Sequence, residues 1–105
     1  MEHGSKVIKK LVHSIVNSVH PLKIILFGSA ARGEIGYNSD IDVLVVMPEG
    51  VHRRHTAQLL YRQIIGLGTP FDIIVATPKD LRKYKDNIGL IYHTVLKEGK
   101  EIYAA

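Results

Sequence analysis

A chain of 105 residues, 46% of them hydrophobic, has room for one compact core and little beyond it, so a single domain over residues 1–105 is expected. Cysteine is absent, which excludes disulfides and thiolate-bound metal and leaves oxygen or imidazole donors for any ion. The formal charge of +4 mildly favours anionic partners. No apolar run approaches the roughly 18 residues of a membrane span, and MEHGSKVIKK lacks a signal-peptide pattern. These absences predict a soluble, cytoplasmic protein with no membrane partner.

In chain order, Val7, Ile8, Leu11, Val12, Ile15, Val16 and Val19 recur at helical spacing, so residues 5–19 read as an amphipathic helix with Lys6, Lys9 and Lys10 toward water. Pro21 ends it, because the residue before proline avoids helical geometry. Lys23–Phe27 is a buried strand in character. Gly28 breaks it, residues 29–32 suggest one helical turn stopped by Gly33, and residues 34–39 (EIGYNS) are turn-rich.

A second strand covers Ile41–Met47. A helix over residues 51–65 follows, with Ala57, Leu60, Tyr61 and Ile64 on its apolar face and Gly66 and Gly68 beyond its end. Phe71–Ala76 is a third strand. Thr77, Pro78 and Asp80 form a helix start, with Thr as cap. A last helix over residues 87–96 turns Ile88, Ile91, Tyr92 and Val95 to one face, and Gly99 stops it. Residues 101–103 suggest a short edge strand. The whole is an α+β arrangement, a small mixed sheet of three main strands plus that edge strand, flanked by helices. Near-continuous apolar strands fit a sheet covered on both faces.

Three aspartates break this apolar pattern. Asp40 and Asp42 stand two apart at the mouth of a Val/Leu strand, so their side chains leave the same face. Asp72 opens the third strand and completes a cluster if the second and third strands are neighbours. Each alone could cap a turn or pair with a basic side chain. Three carboxylates so close repel one another unless a divalent cation neutralises them, and hard oxygen donors favour Mg2+ or Mn2+. Upstream, Gly28 and Ser29 follow a strand and open a turn whose N–H groups and hydroxyl suit phosphate oxygens. Arg32, one turn on, suits a phosphate or a carboxylate equally.

Gly28-Ser29, ten residues, then Asp40-Ile41-Asp42 resembles the signature of the DNA polymerase β-like nucleotidyltransferase superfamily. The string GSAARGEIGYNSDIDVLVV is similar to its minimal members, the MNT-type antitoxins paired with HEPN-domain toxins. The resemblance implies the nucleotidyltransferase fold, with Asp40, Asp42 and Asp72 as catalytic residues holding two Mg2+ ions. It implies nucleotide contacts from Gly28 and Ser29, to which Arg32 and Ser39 are added. It further implies transfer of a nucleotidyl group, AMP from ATP or its equivalent from another NTP, to a tyrosine of a HEPN toxin. No C-terminal helical domain is seen that would supply an acceptor pocket, so the acceptor site is expected from a partner or a second copy.

A non-catalytic antitoxin acting by contact and a small-molecule nucleotidyltransferase working as a homo-oligomer are the alternatives. Intact aspartates favour the enzyme. His52 and His55, three apart beside arginines, read as exposed rather than as metal ligands. Tyr37 and Asn38 read as turn residues, and Tyr61 and Tyr92 as core. The densest basic stretches, 52–55 and 79–85, are scattered along the chain, so direct binding of nucleic acid is not expected.

Overall fold

The computed structural model describes residues 2–33, 40–85, 87 and 91–105. The long helix α1 spans Glu2–Val19 and carries its Val/Leu/Ile stripe inward, with Leu11 and Ile15 fully buried and Lys6, Lys9 and Lys10 exposed. Strand β1 (Lys23–Phe27) leads directly into the short helix α2 (Gly28–Ala31). Then come β2 (Ile41–Val46), α3 (Arg53–Gln63), β3 (Phe71–Ala76), α4 (Pro78–Tyr84), α5 (Ile91–Glu98) and β4 (Lys100–Ala104).

The four strands form one sheet in the order β3-β2-β1-β4. β1 is antiparallel to both β2 and β4, and β2 runs parallel to β3. Alternation then sorts the apolar residues into two layers. Ile24, Leu26, Ile41, Val43, Val45, Ile73 and Val75 face α1 and α3, meeting Leu11, Ile15 and Leu60. Ile25, Phe27, Leu44, Val46 and Ala76 face the other way, against Val95 of α5 and Leu81 of α4. The expectation of a sheet covered on both faces therefore holds. Gly99 fits this second layer tightly: a Cβ there would strike Ile25 and the Val95 carbonyl.

Several boundaries differ from the sequence reading. The helix expected over 51–65 begins at Arg53, because the His52 ring accepts the His55 N–H at 3.2 Å and caps it. Tyr61 is not core: it is 44% exposed, stacked on Phe71, with its hydroxyl accepting the Ile73 N–H at 2.8 Å on the outer side of β3. The helix expected over 87–96 runs over Ile91–Glu98, with Val95 buried and Ile91 42% exposed. Ile88 lies outside the described residues. The short edge strand is a full β4 of five residues. Leu22 joins the antiparallel end, donating to the Val46 carbonyl and accepting from Ala105 N–H.

The C-terminal end of the parallel pair is held by polar contacts. Thr77 and Asp80 form a reciprocal cap, and Asp80 Oδ2 also meets Arg53 Nη1 at 3.2 Å. Burial pushes the Asp80 carboxyl up, but the Thr77 hydrogen bonds and the Arg53 charge outweigh it, leaving the group below its ordinary 3.8. A carboxyl so depressed stabilises the fold above its unfolded pKa, and that stability is lost as pH falls through the folded value. Asp80→Ala is expected to cost about 1–2 kcal/mol at pH 7. In urea melts the gap from wild type should narrow below pH 3.8; a gap independent of pH would count against the assignment.

Candidate active site

The parallel pairing of β2 and β3 settles where the carboxylates meet. Asp42 is the register partner of Asp72, and both side chains leave the sheet on the α4/α5 face. Because β1 is antiparallel, its C-terminal residue Phe27 lies opposite Asp42. The turn into α2 therefore starts beside the same carboxylate. Asp40 precedes β2 by one residue and is exposed, as is Asp72, while Asp42 is half-buried. All three aspartates come to one end of the sheet, at its water-facing margin rather than deep in an apolar pocket.

Gly28 has a second purpose that sequence reasoning did not find. Its φ is +72°, the left-handed region that glycine tolerates, and a Cβ built there would lie 2.5 Å from Asp42 Oδ2. The Asp42 carboxylate thus occupies the space a side chain at position 28 would take. Only the strand register reveals this, and register is not written in the local motif. No side chain caps the N-terminus of α2. Ser29 is half-buried beside it, and Arg32, exposed at the C-cap, has its N–H on the Ser29 carbonyl at 3.1 Å. Ser39, Tyr37 and Asn38 lie outside the described residues.

The electrostatics follow from this crowding. Burial raises the Asp42 pKa above 3.8, and the charges of Asp72 and then Asp40 push it further. A cation would relieve all of these costs. The donor set, carboxylate oxygens with open water-facing positions, fits a hard divalent ion. Among the described residues, however, no three acidic or histidine side chains converge as a ready-made cage. Closing on an ion would require rotation of side chains, and Asp40 and Asp72 are exposed. His52 and His55 are exposed and stacked on each other 3.8 Å apart, and one His52 nitrogen caps α3.

The family model described as "Nucleotidyltransferase domain" matches residues 6–102. The chain belongs to this family. Its nucleotidyltransferase fold is shared with solved structures. A candidate nucleotidyltransferase from Sulfolobus solfataricus superposes with a TM-score of 0.64 at 25% identity, over 98% of this chain and 85% of that one. A toxin-antitoxin crystallised with AMP-PNP gives 0.62 at 25% identity, over 92% of this chain and 73% of that one. The toxin-antitoxin MntA-HpeT gives 0.54 at 24% identity, over 97% and 73%, a likeness of fold. A candidate protein adenylyltransferase of Methanocaldococcus jannaschii is 33% identical over 101 residues, covering 93% of this chain and 96% of that protein. The nucleotidyltransferase is thus a transferase enzyme, and the family match spans nearly the whole chain. Among its described residues, no helix is long and apolar enough to cross a membrane.

Proposed function

We propose that this nucleotidyltransferase moves AMP from ATP to a tyrosine hydroxyl of a HEPN-type toxin, as the antitoxin of the pair. The observation that carries the chemistry is the register match of Asp42 with Asp72, with Gly28 left bare against Asp42. The protein context rests on the relatives, one named for protein adenylylation and one crystallised as a toxin-antitoxin with AMP-PNP. Asp40, Asp42 and Asp72 would hold divalent cations, Mg2+ first and two in number. When bound, such ions neutralise charge on the attacking and leaving oxygens of an in-line displacement.

The chain's own residues position the rest. The N–H groups at Gly28 and Ser29 would receive the triphosphate, with Arg32 beside it. Asp72, the most open member of the register pair, would take the proton of the acceptor hydroxyl. The acceptor oxygen then bonds to the α-phosphorus as the bond to the bridging oxygen breaks and pyrophosphate leaves. The partner would present its own tyrosine to the open, water-facing carboxylate end.

Incubation with α-labelled ATP, Mg2+ and a HEPN-type toxin protein tests this. The expected result is label on a tyrosine of the partner, lost on adding EDTA. No label from any of the four NTPs with Mg2+ or Mn2+ would overturn the reading.

A further inference from the structure

The two densest basic stretches of the sequence, 52–55 and 79–85, are far apart in the chain but meet in the fold. β2 and β3 are parallel and end together, so the helices that follow them, α3 and α4, begin at the same end of the sheet. The Arg53–Asp80 ion pair at 3.2 Å joins the two helix starts, and the Lys79 N–H donates to Glu49 Oε1 at 2.7 Å. Arg53 and Asp80 offset each other's charge. Outside that pair, Arg54, Lys79, Arg82, Lys83 and Lys85 are all exposed and outnumber the one exposed carboxylate among the described residues of this corner, Glu49. Lys79, Arg82 and Lys83 sit at i, i+3 and i+4 and so share one face of α4.

A shallow hollow of about 310 Å³ lined by Val51 to Arg54 opens at this corner. Beside it the stacked rings of His52 and His55 are exposed. The carboxylate end lies at the other end of the strands, roughly 17–20 Å away for six residues at about 3.3 Å each. The three aspartates and this cluster of Lys and Arg thus lie at opposite ends of the parallel strands.

We propose that this basic end binds single-stranded nucleic acid, tracking its phosphates with Arg54, Lys79, Arg82 and Lys83 and offering the imidazole stack to a base. Protein interfaces centre on apolar or aromatic anchors and are poor in lysine. Among the described residues, the exposed large apolar side chains are Leu22, Tyr61, Ile65, Ile91 and Leu96, and none belongs to the two basic stretches. Clustered Lys and Arg on a domain of pI 9.4, with rings beside them, is the pattern of a phosphate-reading surface.

The test is fluorescence anisotropy with a labelled 20-nucleotide oligouridylate at 50 and 200 mM salt. Four phosphate contacts on a single strand predict a slope of about −3 in log affinity against log salt, a loss of about 50-fold between the two conditions. The variant Arg54→Glu/Arg82→Glu/Lys83→Glu should bind at least tenfold more weakly at 50 mM, with its melting temperature and nucleotidyl transfer unchanged. Oligothymidylate bound equally well would support reading of the shared phosphodiester backbone. Three results would overturn the proposal: no binding at 50 mM salt, unchanged binding by the variant, or equal binding of a polyglutamate peptide, which would make the surface one for acidic proteins.

Discussion

Asp42→Asn is expected to abolish nucleotidyl transfer while making the metal-free protein more stable. The two effects have one origin. Burial and the charges of Asp72 and Asp40 raise the Asp42 pKa, so its ionised form is held at a cost. A carboxyl with a raised folded pKa binds more protons folded than unfolded between 3.8 and that raised value. Stability therefore falls as pH rises through this window, and at neutral pH the full cost is present. Asparagine keeps the shape and removes the charge. The side chain is only half-buried, so solvent screening keeps the gain small, about 0.5 kcal/mol or roughly 2–4 °C in melting temperature for a chain of this length.

With Mg2+ and ATP the order should reverse. Wild type is expected to gain stability and the variant to gain none, while transfer falls by about 10³-fold or more, the scale of losing a charge-stabilising group. Thermal melts of both proteins with and without Mg-ATP read this crossing directly. A variant destabilised in the absence of metal would contradict the repulsion argument even if activity were lost.

Gly28→Ala is the second large effect, and it separates backbone strain from carboxylate placement. A Cβ would meet Asp42 Oδ2 at 2.5 Å, and the φ of +72° is unfavourable for alanine. The strain costs about 1–2 kcal/mol. The displaced carboxylate adds a loss of transfer of about 10²-fold, the scale of an ångström's misplacement at a reacting centre. Gly33→Ala is the matched control: its φ is +81°, but no atom of the described residues lies within 4 Å of the added carbon. It should show the stability loss in a urea melt and keep its turnover. Equal activity losses in the two variants would mean that the turn, not the room left for Asp42, is what matters.

The motif made much of this site legible. Asp40 and Asp42 share a strand face by period alone, and Asp72 stands out as a charge opening an apolar run. What the sequence could not supply was the pairing. The meeting of Asp42 with Asp72 depends on β2 and β3 being parallel and in register, and the fit of Gly28 to Asp42 depends on β1 being antiparallel. Tyr61 shows a different limit. Helical periodicity places it on the inward side, but the helix overhangs the sheet margin there, so the ring lies along β3 and half of it meets water. The start of α3 is hard to read because histidine is an unusual cap. β4 is longer than its residues suggest because Lys100 and Ala104 carry no strand signal and are recruited by pairing with β1. The gathering of the basic stretches is likewise a product of topology, invisible in a linear reading.

The phenol of Tyr61 also makes the two margins of the sheet unequal. A strand arriving beside β3 would have to break the bond from the Ile73 N–H and lift the ring off Phe71 before its own ladder could form. Beyond β4 no described strand stands, and its exposed Lys100 and Glu101 leave the backbone approachable. Growth of this sheet by a borrowed strand is therefore directional. It is resisted at the margin that carries Asp72 and open at the one farthest from it.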